Sequence, residues 1–308
     1  MSSPVSTGIA YTPTVIASQL VSYLNADQSQ QATLETQISS GNLVNQPSDN
    51  PAAAGSLLAA NSSLVRAQEY SSNASDASSW LSLGTSTLNS VISALQSAAQ
   101  SVMALSGNSL ANSKAAVAGT TATLQTVLSQ VTALANTTYG NQPIFAGTAN
   151  TSAAYDTTGT YLGNSTAPTV TVGPGLSVPI AATGPAVFGS GSTGLLGPTG
   201  VLSKLISDVS TGTPASIATA TTTDIAALNS AIQNVTNQAG ILGATYQSVQ
   251  TYAAQATNVQ TALQTQISAV DSVNIAQATT ALTQSQNAYQ AGLWATAQIE
   301  QHSLVTYL

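Results

Sequence analysis

Few side chains in this chain of 308 residues could take part in catalysis. It has ten carboxylates, a single histidine, His302, and no cysteine. A catalytic base or a metal ligand needs oriented partners, and only Glu300 and hydroxyl residues lie near His302 in sequence. Asp49 lies among turn residues and Asp224 precedes a periodic apolar run, so a turn and a helix start explain these carboxylates. We therefore expect no enzyme, no cofactor and no metal site.

The composition argues against several classes of binding protein. Charged residues make up 4% of the chain, against about 25% in an average domain. The net charge is −7, and the basic residues are Arg66, Lys114 and Lys204, so we expect neither nucleic acid nor an anionic membrane as a partner. No apolar run approaches the roughly 20 residues that span a bilayer. Residues 1–25 lack the basic and apolar segments of a cleaved secretory signal, so none is expected.

Both ends of the chain carry thin apolar stripes. Apolar residues recur there at steps of three and four, the spacing of one helix face. Asp27 and Gln31 interrupt the first stripe and the second is half polar, so neither helix should be stable alone. We predict that the two helices pack against each other and against neighbouring subunits. The interface candidates are Ile16, Leu20, Tyr23, Leu34 and Ile38 near the start, and Ile275, Leu282, Tyr289, Leu293, Ile299, Leu304 and Tyr307 near the end.

A polar connector follows the first predicted helix, which covers about residues 14–40. Gly41 and Asn42 should end this helix, because both residue types accept a left-handed backbone. Asn50 is a good N-cap, and Pro51 suits the first helical position after it. The connector and cap residues are Pro47, Ser48, Asp49, Asn50 and Pro51.

The body of the chain is predicted to be a bundle of long helices. A second helix should extend to about residue 105, a third should cover about 110–137, and a final long one should run from Ile225 to Val270. The last has a mean apolar spacing near the 3.5 residues of a coiled coil and a length of roughly 70 Å. Its apolar positions are Ile225, Leu228, Ile232, Val235, Ala239, Leu242, Tyr246, Val249, Ala253, Ala256, Val259, Leu263, Ile267 and Val270.

The middle of the chain is rich in Gly, Pro and Thr and predicts a small β insertion at 150–199. A turn and a short strand are expected within Gly140–Gly147, which has Ile144-Phe145 in its middle. Further short strands are expected at Val170–Val172, Leu176–Val178 and Val187–Gly189, and a short helix at Val201–Val209. The predicted fold is therefore mainly α: a long antiparallel bundle or coiled coil built from both chain ends, with a β-rich insertion in the middle.

Several segments resemble the flagellin superfamily, and most closely its hook–filament junction branch (hook-associated protein 3). Asn50 stands where that branch more often has Asp, which keeps a capping side chain and loses a charge. The final Tyr-Leu also resembles this branch more than filament flagellins. The segments that carry the resemblance are Ile38–Gly41, Pro47–Pro51, Gly140–Gly147, Gly184–Gly189, Asn237–Ala244, Asp271–Ala276 and Ser303–Leu308.

The resemblance implies a structural protein of the bacterial flagellum, outside the cell and exported through the flagellar type III channel. It implies a homo-oligomeric ring joining hook-associated protein 1 to the flagellin filament, and an export chaperone on the C-terminal helix. It also implies three domains: terminal helices (1–49 and 271–308), a helical bundle (50–149 and 200–270) and an outer β domain (150–199).

Three other functions stay open at this point. A filament flagellin is the nearest, because it shares both terminal regions. A different secreted coiled-coil surface protein or adhesin is the second. A lytic enzyme carried on the flagellum is the third, and it would need a pair of carboxylates in a cleft, which the sequence does not show.

Overall fold

The computed structural model describes residues 13–106 and 113–305. Its first helices are α1 (Pro13–Ser40), α2 (Pro51–Ser106) and α3 (Lys114–Ala135). The strands β1 (Thr138–Tyr139), β2 (Gln142–Pro143), β3 (Thr169–Gly173) and β4 (Leu176–Pro179) follow. The chain continues with α4 (Gly184–Phe188), α5 (Val201–Thr211), α6 (Pro214–Thr219), a π turn (Ala220–Asp224), α7 (Ile225–Asp271) and α8 (Ile275–Val305). Arg66–Gln260 form one compact unit, the central unit; the residues on either side of it form a second, the terminal unit.

A seam between α2 and α7 forms the core of the central unit. Heptad spacing places one row of α7 side chains on this seam, because 3.5-residue steps keep a row on one face of a supercoiled helix. A Cβ on Gly84 of α2 would lie 3.3 Å from Leu242 Cδ1, so glycine lets the two helices approach closely. The bundle of long helices from both halves of the chain is confirmed. The buried row of α7 is Ile225, Leu228, Val235, Ala239, Leu242, Val249 and Ala256.

Helices α3 and α5 pack against each other and complete the same apolar core. Helix α3 begins at Lys114 because Ser113 caps it: Ala116 N donates to Ser113 Oγ at 3.4 Å. Helix α5 ends where Gly212 adopts a φ of 67°, the left-handed conformation that favours glycine. Helix α5 agrees with its prediction, whereas the break predicted after residue 106 lies outside the described residues.

The hairpin β1–β2 precedes the insertion, which contains the antiparallel hairpin β3–β4 and most of an aromatic cluster. Phe145 and Phe188 meet edge to face with ring centroids 5.3 Å apart, and Tyr155 packs on Phe188 at 5.6 Å. Burial raises the pKa of Tyr155, whereas the Tyr161 hydroxyl donates to the Asn164 carbonyl at 2.7 Å. This part of the chain therefore has a core of its own side chains, continuous with that of the bundle.

One predicted strand is wrong. Val187 and Phe188 lie in α4, because Pro185, in the first turn after the extended N-cap Thr183, favours helical backbone there. The turn and short strand predicted within Gly140–Gly147 correspond to β2 and the turns on either side of it, with Ile144 and Phe145 buried just after β2. The two predicted strands that became β3 and β4 are confirmed.

Two assignments on the long C-terminal run also need correction. Asp224 does not start a helix: Thr213 caps α6, which continues through the π turn into α7, so Asp224 is a buried residue inside one continuous helical stretch. Val259 is 43% exposed, and Gln260 takes its place, donating to the Ala67 carbonyl at 2.9 Å. A polar side chain can occupy a seam when its hydrogen bond is satisfied, and hydropathy does not detect it.

No helix in the described part of the chain is apolar enough over a sufficient length to cross a bilayer. The division into three domains stays a prediction.

Candidate assembly site: the terminal helices and their connectors

Helices α1 and α8 pack against each other along a seam with alternating steps of three and four residues. This seam combines apolar, polar and small side chains, so it differs from the apolar α2–α7 seam. Its partly or fully buried positions are Leu20, Leu24, Asp27, Gln31, Leu34 and Ile38 in α1, and Ala278, Leu282, Ser285, Tyr289, Gly292 and Thr296 in α8.

Two contacts fix the alignment of the helices. A Cβ on Gly292 would lie 2.7 Å from Leu24 Cδ2, and Ser285 Oγ donates to the Asp27 carbonyl at 3.4 Å. Gln31 Nε2 is buried and has no hydrogen-bond partner among the described residues. A buried donor without a partner costs about 1–3 kcal/mol. This donor therefore lowers the stability that the α1–α8 seam provides within one chain.

Four predicted interface residues lie outside this intrachain seam. Ile16, Tyr23, Ile275 and Leu293 are exposed, Tyr23 to 63%. Trp294, which the sequence reasoning passed over, is 80% exposed. Extending the 3.5-residue period from Leu34 back through the polar positions would have selected Leu24 instead of Tyr23. The apolar residues of the terminal helices thus divide into a set within the seam and a set facing outward.

The remaining candidates cannot be placed in either set. Ile299 and Leu304 belong to α8, but their side chains lie outside the described part of the structure, as does that of His302. Tyr307 follows the last described residue. Their roles at an interface stay predictions.

The connectors α1–α2 and α7–α8 are joined to each other, and we refer to this arrangement as the connector clasp. Asn42 and Ser272 form an antiparallel bridge, in which the Leu43 N–H donates to the Asp271 carbonyl and the Val273 N–H to the Gly41 carbonyl at 3.1 Å. The Asp271 side chain adds a third bond, because its Oδ1 accepts from the Val44 N–H at 3.1 Å. The clasp therefore joins residues more than 200 positions apart at the base of the terminal helices.

The turn after the clasp is organised by Asp49. Its Oδ2 accepts from the N–H groups of Asn45 at 3.1 Å and Gln46 at 2.9 Å. Asn50 Oδ1 accepts from the Ala53 N–H at 3.1 Å, which confirms Asn50 as the N-cap of α2, with Pro51 as its first residue. Pro47 and Ser48 are exposed in the turn between Gln46 and Asp49. Asp49 thus has a structural role that accounts for its position.

The described residues include no group of three His, Cys, Asp or Glu side chains that could hold a metal ion. A groove of about 600 Å³ lies in the central unit between α2 and α7. It is lined mostly by Ser, Thr and Asn, without a charged side chain among its lining residues. The described residues of the chain ends offer surfaces for packing.

Gly292 gives a direct test of the terminal seam. We expect Gly292→Val to force Leu24 away and separate α1 from α8, because overpacking costs about 1–3 kcal/mol. Amide hydrogen exchange across residues 13–40 should then become faster. Gly240→Val is the matched control, since a Cβ at Gly240 meets nothing within 4 Å. Gly292→Val with Leu24→Ala should recover part of the protection. Equal exchange in both single variants would contradict the alignment.

Comparisons with known proteins agree with this architecture. Residues 13–150 match the bacterial flagellin N-terminal helical region, and residues 225–308 match the bacterial flagellin C-terminal helical region. No curated protein sequence matches the chain.

Among solved structures, the fold is similar to that of a protein described as a flagellar hook-associated protein from Vibrio parahaemolyticus. The TM-score is 0.64 at 20% identity, over 72% of this chain and 99% of that one. It is also similar to FlgL from Bacillus cereus, with a TM-score of 0.55 at 20% identity, over 68% of this chain and 99% of that one. At this identity the likeness concerns the fold. With both terminal regions matched and the long helices arranged as described, the chain belongs to the flagellin superfamily.

Proposed function

We propose that the chain is a structural subunit of the flagellar hook–filament junction, forming an adaptor ring between hook-associated protein 1 and the flagellin filament. The observation that carries this proposal is the fold that the chain shares with two proteins named as hook-associated proteins. The match extends over 99% of the length of each of them. The closing Ser303–Leu308 segment, which resembles the junction branch, supports the same choice.

The terminal unit supplies the surfaces that this role requires. Its intrachain seam includes the buried Gln31 amide, whose Nε2 has no hydrogen-bond partner among the described residues. Tyr23, Leu293 and Trp294 are exposed apolar side chains on the same two helices. Helices that are marginal alone gain stability by packing against neighbours. In this proposal the outward set contacts adjacent subunits, hook-associated protein 1 and flagellin, and an export chaperone binds α8 before assembly.

The proposal places the protein outside the cell, on the flagellum, after export through the flagellar type III channel. It assigns 1–49 and 271–308 to a terminal-helix domain, 50–149 and 200–270 to a helical bundle, and 150–199 to an outer domain. It gives the protein a structural and not a catalytic role, which the family supports because flagellin-type proteins are structural proteins.

Immunogold labelling of flagella tests the proposal. An epitope inserted between Pro174 and Gly175, in the exposed turn between β3 and β4, should leave the fold intact, because Gly175 and its φ of 67° are retained. The expected result is a single spot at the boundary between hook and filament, and filaments that fail to attach when the gene is deleted.

Filament flagellin is the second candidate, because both matching family models describe flagellin regions. Label along the whole filament would support it and overturn the junction assignment.

A further inference from the structure

Lys204, Asp208 and Asp224 form a charged cluster in the central unit that the proposed function does not use. Lys204 Nζ donates to Asp224 Oδ1 at 2.6 Å, which joins α5 to the end of the π turn. Lys204 and Asp208 are four residues apart on α5, so they lie on the same face of that helix. Asp208 is half-buried, and its carboxyl lies near that of Asp224.

Asp224 is unusual because its charge is almost fully removed from water. Its side chain is 3% exposed, whereas that of Lys204 is 53% exposed. The second oxygen, Oδ2, is buried and accepts from no N–H or hydroxyl donor among the described residues. A buried carboxylate is costly unless hydrogen bonds satisfy both oxygens. A donor for Oδ2 is therefore missing.

A proton on Asp208 supplies this donor. The protonated carboxyl can donate its O–H to Asp224 Oδ2, while Lys204 continues to donate to Oδ1. When Asp208 is ionised, two carboxylates lie near each other at a partly buried position, the one ammonium group of Lys204 is bonded to Asp224, and Oδ2 has no donor. Two contacting carboxylates of this kind favour retention of one proton.

The neighbouring helices α3 and α6 and the π turn contain no carboxylate other than Asp224. Helix α6 has no titratable residue, and the titratable residues of α7 before Asp271 are Tyr246 and Tyr252. Helix α3 contributes Lys114, at its first residue. No charged residue lies between Asp156 and Lys204. The proton of Asp208 is thus controlled mainly by Asp224 and Lys204.

We propose that Lys204, Asp208 and Asp224 form a proton-dependent latch, which holds α5 against the π turn when Asp208 is protonated and loosens when Asp208 ionises. The π turn is a suitable place for such a device, because π-type irregularities often mark functional positions in helices. The latch rests on intrachain geometry and does not depend on the role at the hook.

The direction of the pH effect follows from Asp208. Burial, followed by the hydrogen bond and charge of Asp224, raises the pKa of Asp208, and Lys204 offsets part of this rise. A raised folded pKa means that the stabilisation is complete below the unfolded value of about 3.9 and is lost as pH rises through the folded value. The latch is therefore closed in acid and opens toward neutral pH.

The test compares unfolding of Asp208→Asn and wild-type protein between about pH 4 and pH 8. Asn donates an N–H to Asp224 Oδ2 as the protonated acid does, but it cannot ionise. The ratio of wild-type to variant unfolding constants should be lowest at the acid end and rise with pH. It should rise by about tenfold for each unit by which the folded pKa exceeds the unfolded one. Asp76→Asn, at an exposed position of α2, is the control for the lost charge.

A second measurement keeps the proposal testable if the variant folds poorly. Carboxyl ¹³C NMR of the wild-type protein should show Asp208 titrating above the ordinary aspartate value of about 3.9, together with falling amide protection of residues 220–224. Titration of Asp208 at or below that value, or a ratio of wild-type to Asp208→Asn unfolding constants that stays within about twofold across the whole range, overturns the latch.

Discussion

Deletion of residues 274–308 is expected to abolish incorporation at the hook while leaving the central unit folded. The deletion removes α8 and uncovers Leu20, Leu24 and Leu34 of α1, which lose their packing partner. It leaves the α2–α7 seam intact, because every residue from Arg66 to Gln260 is retained. The cut also preserves residues 271–273, which form one side of the connector clasp.

The two tryptophans make this result measurable. Trp80 lies in the central unit against Tyr139, with ring centroids 5.3 Å apart, whereas Trp294 lies on α8 and is removed by the deletion. The fluorescence of the truncated protein therefore reports on the central unit alone. Its unfolding midpoint should match that of full-length Trp294→Phe, which also retains only Trp80. A central unit that unfolds on truncation would show that α8 contributes to the main core.

Leu242→Ala should lower the free energy of unfolding of the central unit by about 2–5 kcal/mol, the cost of a cavity left by a buried leucine. Leu242 is 5% exposed and lies against Gly84 on the opposite helix. Its neighbour Ile241 is 57% exposed on the same helix, so Ile241→Ala should change stability by about 0.5 kcal/mol or less. The comparison separates loss of packing from the change in helix propensity.

Denaturant unfolding followed by Trp80 fluorescence, in a Trp294→Phe background, measures both variants. The two compact units need not unfold together, and a local probe avoids mixing their transitions. Similar losses for Leu242→Ala and Ile241→Ala would contradict the position of the seam. A loss confined to Leu242→Ala would confirm it.

The sequence predicts the long helices well because their apolar residues repeat over many turns. Leu228, Val235 and Leu242 keep one period, and no competing period fits the same stretch. The cap at Asn50 was also predictable, since a single side chain bonds to a backbone group three residues away. Such features can be predicted because the residues that form them lie close together in sequence or repeat at a regular spacing.

The terminal seam was harder to predict because its close contact depends on an absent side chain. Gly292 has no side chain whose hydropathy would indicate that it faces Leu24. The polar residues Asp27 and Gln31 interrupt the apolar repeat of three and four residues in α1. Asp224 illustrates a second limit. Its partner Lys204 precedes it by 20 residues, and only the turn between α5 and α6 brings the two together.

The insertion departs from the bundle and returns to it at almost the same point. The Gly184 N–H donates to the Phe145 carbonyl at 2.8 Å, so residues 146–183 form an excursion whose two ends touch. Closing a longer excursion costs little, about 0.6 kcal/mol for each doubling of its length. Exposed turns within this stretch can therefore be lengthened to display a foreign peptide while the helices keep their places, provided that its buried residues, which share the core of the bundle, are retained. Tyr155 is one of these residues, because it covers Phe188.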